Sequence, residues 1–264
     1  MKIGFVQNQP IFGEVSRNLD QIESLLEGKV ADLIVLPELC STGYQFVSEQ
    51  EALSLAEFIP DGVTTQRVLQ WAKATNGVVV AGLAECERGV VYNSAVIAGP
   101  QGVLGVYRKV HLFDMEKKIF RPGSGPLPVF DTGIGKVGIM ICFDWRFPET
   151  CRTLAMKGAE VVAHPSNLIL PHCPQAMITR CLENRIFAIT ADRVGVENRI
   201  SGKKLKFIGQ SQLVDPEGRV VHRASSEGEE VWFGEVDLTE ARQKSINPIN
   251  DLFADRRTDL YELN

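Results

Sequence analysis

Val137-Gly138-Ile139-Met140-Ile141-Cys142-Phe143-Asp144-Trp145-Arg146-Phe147-Pro148-Glu149 decides how this chain reads. Apart from one glycine, 137–141 is wholly apolar, which fits a strand buried on both faces. Pro148 suits the first turn of a helix. Cys142 therefore falls on a strand–turn–helix elbow, a geometry that exposes a nucleophile at the carboxyl edge of a sheet. The helix N-terminus beyond it favours a thiolate. The segment alone equally allows a small buried cysteine at a strand end.

Two more segments place an ionisable group at the end of, or inside, a strand-like run. Leu33-Ile34-Val35-Leu36-Pro37-Glu38 ends in a carboxylate, and open α/β sheets gather ligands at the carboxyl ends of their strands. Glu38 reads either as a base in partly apolar surroundings or as a solvated acid opening a loop. Tyr107-Arg108-Lys109-Val110-His111-Leu112-Phe113 puts a lysine inside a strand-like run. Lys109 reads either as the partner of a thiolate or oxyanion, or as an edge-strand charge. Arg108 and His111 compete with it on composition alone.

Outward from these segments, strands and helices alternate. Residues 2–8, 31–36, 78–84, 137–141, 161–163 and 187–192 read as strands, with a hairpin over 89–107 turning at Gly99-Pro100-Gln101-Gly102. Helices are expected from Ser16 as N-cap to Gly28, at 48–58, 63–75, 148–157 and 174–186, with a short one near 238–244. Strands near 207–214, 219–224 and 230–236 follow, with a turn at Asp215-Pro216-Glu217-Gly218. No Pro/Gly/Ser linker divides the chain, so residues 1–264 read as one α/β domain with a mixed sheet in at least two layers.

Composition narrows the function. The 264 residues are 44% hydrophobic and 23% charged, with formal net charge −5. That balance argues against nucleic acid or an anionic membrane as partner. The apolar start Met1–Val6 turns polar at Gln7, too short for a signal-peptide core, and no run approaches the roughly 18 residues of a spanning helix. Six cysteines at scattered spacings fit neither a disulfide framework nor a zinc cluster, so a cytoplasmic, reducing setting is expected. Gly133-Ile134-Gly135-Lys136-Val137-Gly138 matches a dinucleotide-binding pattern but leads into a strand rather than a helix, so it reads as a turn. His172, Cys173 and Cys181 lack metal-ligand spacing.

Taken together, Pro37-Glu38-Leu39 with Thr42-Gly43-Tyr44, Tyr107-Arg108-Lys109-Val110-His111-Leu112, and the Cys142 elbow with Arg146-Phe147-Pro148-Glu149 resemble the nitrilase superfamily of carbon–nitrogen hydrolases. The likeness continues through Tyr92-Asn93-Ser94-Ala95, Arg121-Pro122-Gly123, His164-Pro165-Ser166-Asn167, Arg180-Cys181-Leu182-Glu183-Asn184 and Gly209-Gln210-Ser211. It implies a four-layer α-β-β-α sandwich with mixed sheets, a Glu38–Lys109–Cys142 triad and a further glutamate, Glu116, with Asp114 as its rival. It also implies a homodimer or larger homo-oligomer and no metal or organic cofactor.

The expected chemistry is hydrolysis of a small amide through a thioester on Cys142, with Glu38 as general base and Lys109 and the Phe143 N–H at the oxyanion. Nitrile and carbamoyl substrates are the alternatives. Tyr44, Phe113, Trp145 and Arg146 are the remaining candidates to meet the substrate. A Cys–His arrangement using His164 or His111, and a non-catalytic scaffold, are the rival classes.

Overall fold

The computed structural model describes residues 1–261. In chain order it runs β1 (Lys2–Gln7), α1 (Val15–Leu26), β2 (Leu33–Val35), α2 (Glu49–Leu55), α3 (Val63–Thr75), β3 (Val78–Glu87), β4 (Val90–Gly99), β5 (Gly102–Arg108), α4 (Glu116–Ile119), β6 (Val129–Asp131) and β7 (Lys136–Ile139). A 3-10 turn over Cys142–Arg146 leads into α5 (Pro148–Met156), then β8 (Val161–Pro165), α6 (Cys173–Asn184) and β9 (Phe187–Ala191). The chain continues through β10 (Val196–Ile200), β11 (Lys203–Lys206), β12 (Gln212–Val214), β13 (Val220–Arg223) and β14 (Glu230–Glu235). A 3-10 turn (Leu238–Arg242) and the small pair β15 (Ser245–Asn247) and β16 (Asn250–Asp251) end the described chain.

Two six-stranded sheets form, in the orders β14-β1-β2-β3-β4-β5 and β13-β12-β9-β8-β7-β6. In each, three central strands are parallel (β1-β2-β3 and β7-β8-β9) and the flanking strands antiparallel. Strand alternation explains the layering. Leu33, Val35, Val78 and Val80 pack inward in one cluster with Val137, Ile139, Val161 and Ala163 of the second sheet. Their neighbours Ile34, Leu36, Val79 and Ala81 pack outward with Leu19 and Ile22 of α1 and Val68 and Trp71 of α3. Helices α5 and α6 cover the other sheet's outer face. The result is the α-β-β-α sandwich that the sequence led us to expect. Strands β2 and β7 are covered on both faces, so they read as continuous apolar runs rather than alternating ones.

Several boundaries move. The run expected at 137–141 stops pairing at Ile139, because the Ile141 N–H donates to Asp144 Oδ2 (2.8 Å) and bends the chain into the elbow. The strand expected near 207–214 pairs only from Gln212. Before it, Gly209 and Gln210 take positive φ and the backbone bonds to separate loops. Glu14 rather than Ser16 precedes α1, and no side chain caps it. Helix 48–58 ends at Leu55, since the Glu57 carboxylate instead takes the Thr64 and Thr65 N–H groups at the start of α3. Gly133 and Gly135, both at positive φ, form the β6–β7 turn. The β10–β11 hairpin had no counterpart in the sequence reading.

Candidate active site

Glu38 lies just after β2. The Gly82 N–H donates to the Pro37 carbonyl (3.1 Å), and the Cys40 N–H donates to the Gly82 carbonyl (3.0 Å). Gly82 must be glycine for this: a Cβ there would stand 2.4 Å from Glu38 Cα. Lys109 follows β5, its N–H donating to the Asn93 carbonyl (2.9 Å) and its carbonyl accepting from Gly123 (2.9 Å). Cys142 begins the 3-10 turn at φ +41°, a left-handed conformation that costs of order 1–3 kcal/mol for a non-glycine residue and must be held by its surroundings.

Lys109 and Glu38 meet directly, and Cys142 lies within their electrostatic reach. Lys109 Nζ donates to Glu38 Oε1 (2.7 Å) and reaches both Glu116 oxygens, Oε1 at 2.9 Å and Oε2 at 2.8 Å. Both Lys109 and Glu38 are wholly buried, so Lys109 is no edge-strand charge and Glu38 no solvated acid. Asn93 Nδ2 donates to Glu38 Oε1 (2.6 Å), while Glu38 Oε2 has no hydrogen-bond partner. Glu116 also accepts from Tyr44 Oη (2.7 Å) and the Phe113 N–H (3.1 Å). Its rival Asp114 is exposed and pairs with Lys203 (3.0 Å). Arg108, the competitor of Lys109, turns away to Glu85 and lies over the Tyr92 ring.

Burial and neighbours set the charges. Burial lifts Glu38 to about 6, with Lys109 opposing and Glu116 adding to the rise. Burial also pushes the Cys142 thiol well above its ordinary value, reinforced by Glu38 and opposed by Lys109. The direction of that shift favours the thiol, against the thiolate that a helix N-terminus would favour. Burial would discharge Lys109, but Glu116 and Glu38 more than reverse that and hold it firmly protonated. The arrangement supplies a fixed cation, a carboxylate with one uncommitted oxygen, and a thiol that needs a base.

Asp144 locks the elbow. Its Oδ2 accepts from Tyr107 Oη and the Ile141 N–H (both 2.8 Å), and its Oδ1 accepts from the His111 N–H (3.2 Å) and Nδ1 (2.7 Å). His164 Nε2 donates to the Cys142 carbonyl (2.9 Å), leaving Nδ1 to accept from Thr190 Oγ1 (3.1 Å). Burial drives His164 down to about 4. Both histidines are thus committed to hydrogen bonds with a backbone carbonyl or with Asp144. Among the described residues no group of three or more His, Cys, Asp or Glu side chains is placed to hold a metal ion.

The candidates to meet the substrate divide. Tyr44 and Phe113 line a cavity that shares Glu116 with the polar cluster. Phe143 packs against Phe113 with ring centroids 5.0 Å apart. Trp145 instead joins the buried hydrophobic core, and the exposed Arg146 places its guanidinium over the Trp145 ring. Neither lines that cavity.

The family model for carbon–nitrogen hydrolases matches residues 2–245. The chain belongs to the carbon–nitrogen hydrolase family. This hydrolase is 47% identical to a nitrilase of Pyrococcus abyssi over 99% of each chain. It is 36% identical to an (R)-stereoselective amidase of a Pseudomonas species, covering 97% of this chain and 92% of that one. Among solved structures it resembles a carbon–nitrogen hydrolase of Helicobacter pylori (TM-score 0.84, 26% identity, 99% and 96% covered). It also resembles a glutamate-to-glutamine mutant of an amidase of Nesterenkonia (TM-score 0.80, 25% identity, 98% of each chain covered), seen with the Michael adduct of acrylamide at its active-site cysteine.

Some residues that shape the site of this hydrolase were not singled out from sequence. Asn93 and Asn167 both touch Glu38, the latter through Nδ2 to the Glu38 carbonyl (2.9 Å). Asp144 and Gly82 act through the backbone. The available signals were a glycine inside an apolar strand and buried amides beside strand ends. Both are common enough elsewhere to carry little alone.

Proposed function

We propose that this hydrolase cleaves small primary amides through a thioester on Cys142. The observation that carries the reading is the buried Lys109 held between Glu38 and Glu116, with Glu38 Oε2 uncommitted within electrostatic reach of the strained Cys142. Glu38 takes the thiol proton as sulfur bonds to the carbonyl carbon. The oxyanion is met by Lys109 Nζ and the Phe143 N–H, donors worth about 3–4 kcal/mol each. Glu38 returns its proton to the nitrogen, the C–N bond breaks and ammonia leaves. Water then gives a proton to Glu38 and adds to the thioester, and collapse frees the acid and restores the thiol. Glu116 orients Lys109, and Tyr44, Phe113 and Phe143 face the substrate. Trp145 and Arg146 enter only as neighbours of the nucleophile.

The covalent adduct at the cysteine of the Nesterenkonia amidase supports Cys142 as nucleophile. The identity to the Pyrococcus abyssi protein favours nitriles as a second reading, through a thioimidate on the same sulfur. Residues 1–264 are taken as one catalytic domain. Six free cysteines, all buried, support a cytoplasmic setting. A homodimer or larger assembly is the proposed state, supported by Met156 and Leu182 standing exposed on α5 and α6. No described helix is long and apolar enough to cross a membrane.

The test is ammonia release from a panel of small amides, carbamoyl compounds and nitriles, with Cys142→Ala in parallel. Release by the wild type alone supports the reading, and the best substrate separates amidase from nitrilase. Silence across the panel with no acyl adduct on Cys142 by mass spectrometry would move the protein to a scaffold role.

A further inference from the structure

Two residues, one at each end of the proposed proton transfer, hold a backbone conformation that their side chains disfavour. Leu39, directly after Glu38, has φ +48°, and Cys142 has φ +41°. Neither is glycine, so the left-handed region persists at both only because the surroundings over-determine it. One short stretch of chain supplies a restraint to each. His164, in β8, donates from Nε2 to the Cys142 carbonyl (2.9 Å). Asn167, just beyond β8, donates from Nδ2 to the Glu38 carbonyl (2.9 Å). The second bond fixes the peptide that joins Glu38 to Leu39.

Asn167 is a firm point because the chain on either side of it is tied down. The Ser166 N–H donates to the Ala191 carbonyl (2.8 Å), and the Leu168 carbonyl accepts from the Ile208 N–H (2.9 Å). The Leu168 N–H donates to Oδ1 of the wholly buried Asp192 (2.8 Å). Asn167 itself is buried and its Oδ1 has no partner. Among the described residues the Glu38 carbonyl accepts from no other donor. A carbonyl can only accept, so the amide is oriented with Nδ2 toward Glu38. Burial raises the Cys142 thiol, and the Asn167 N–H is one of the groups that pulls it back. One residue thus reaches the main chain of the proposed base and the sulfur of the proposed nucleophile.

We propose that Asn167 is a positioning residue: through the Glu38 carbonyl it holds the Glu38–Leu39 peptide in its strained form, and so sets where the Glu38 carboxylate stands relative to Cys142. The inference rests on the general-base role proposed above for Glu38. Without the Asn167 amide the buried carbonyl loses its donor. Leu39 is then free to relax to negative φ, and the carboxylate moves with the main chain. A misplacement of about 1 Å can cost about a hundredfold in rate. The effect of the side chain falls on kcat, because its one bond is to the protein.

The experiment compares Asn167→Ala with the wild type and repeats the pair in a Glu38→Asp background, which keeps a carboxylate but withdraws it by one methylene. Asn167→Leu, which fills similar space without a donor, serves if the alanine protein fails to fold. With propionamide as probe, Asn167→Ala should lower kcat about a hundredfold while KM changes by less than about threefold. In the Glu38→Asp background, where the carboxylate is already displaced, the same substitution should cost less than about tenfold. A crystal structure of Asn167→Ala should show Leu39 at negative φ and Glu38 shifted, with Cys142 in place. Equal losses in the two backgrounds would make Asn167 a general support of the fold and overturn the inference. So would a raised KM with kcat intact, or a Glu38 that has not moved in the crystal. Full kcat in Glu38→Gln would remove Glu38 as base and take this inference with it. If the wild type releases no ammonia from propionamide or any other compound of the panel, the crystal structure decides alone: a shifted Glu38 keeps Asn167 as its restraint and sinks only the amidase reading.

Discussion

At the scale of single residues, the site is a charge arrangement kept against the preference of its surroundings. Glu38, pushed by burial to about 6 from an ordinary 4.5, is harder to ionise in the fold than in the unfolded chain. Its contribution to stability is therefore present below pH 4.5 and is lost as the pH rises through 6, a cost on the order of 2 kcal/mol at neutral pH. In the general-base role we propose for it Glu38 must be ionised, so kcat/KM should climb along an acid limb centred near pH 6 and level off above it. A rate that stays flat between pH 5 and 8 would remove Glu38 from that role. Lys109 makes the ionised state tolerable. Lys109→Met leaves two carboxylates facing each other in a buried space, and we expect it to destabilise the protein by about 3–5 kcal/mol. Because those carboxylates can take up protons, the loss measured by urea unfolding should be smaller at pH 5 than at pH 8. Equal losses at both values would mean that the two acids do not feel each other. Glu38 and Cys142 were legible because each ends an apolar run, and Lys109 because it sits in a strand-like one, but only their joint resemblance to a family raised them above solvated charges and a packed cysteine. Asn93 and Asn167 lay in segments that carried the resemblance, but no role fell to them because a buried amide and a surface amide look alike in sequence.

At the scale of elements, the elbow is held by a side chain that touches no reacting atom. Asp144 collects the Tyr107 hydroxyl, the Ile141 N–H and both the backbone and ring nitrogens of His111. It thereby ties the segment after β5, which carries Lys109, to the turn that carries Cys142. Asp144→Ala leaves several buried donors without partners, each costing about 1–3 kcal/mol. We expect a loss of at least about 3 kcal/mol in urea unfolding together with a fall in kcat of a hundredfold or more. Asp144→Asn keeps an acceptor oxygen and should recover part of both. A variant with full kcat and reduced stability would confine Asp144 to a purely structural place. The elements that were easiest to read are those covered on both faces, such as 33–36, 161–163 and 187–192, where burial alone dictates an apolar run. The β10–β11 hairpin was unreadable for the opposite reason. Its segment, Val196-Glu197-Asn198-Arg199-Ile200 to Lys203-Lys204-Leu205-Lys206, is short and charged, and its partners Gln45, Glu51 and Asp114 lie far away in the chain.

At the scale of the whole molecule, two sheets of matching strand order face each other, and the groups we propose to react come from both. Glu38 and Lys109 extend from strands of one sheet, and Cys142 and Asn167 from strands of the other. The hydrogen bond from Asn167 to the Glu38 carbonyl crosses between them, so site geometry depends on how the sheets are pressed together. Anything that braces α5 and α6, the outer layer behind Cys142, acts on that geometry. These helices expose Met156 at 47% and Leu182 at 50%. The C-terminal segment already leans on them: Arg256 donates to Met156 Sδ (3.4 Å), and the Arg152 guanidinium lies over the Phe253 ring. A second copy covering this face would bury the apolar residues and brace the sheet at once. Sedimentation should therefore give a mass that is a multiple of the 29.2 kDa chain, and Leu182→Glu should shift it toward the single chain, because a buried unpaired carboxylate is costly at an interface. Val63 on α3 is equally exposed at 50% but lies behind the other sheet, so Val63→Glu should leave the mass unchanged. A wild type that sediments as one chain, or a Val63→Glu protein that dissociates while Leu182→Glu does not, would place the contact elsewhere or remove it. If Leu182→Glu does dissociate the assembly, its kcat measured at the same concentration tells whether the second copy braces the elbow. A fall in kcat that reverses at high protein concentration is the signature expected of that bracing.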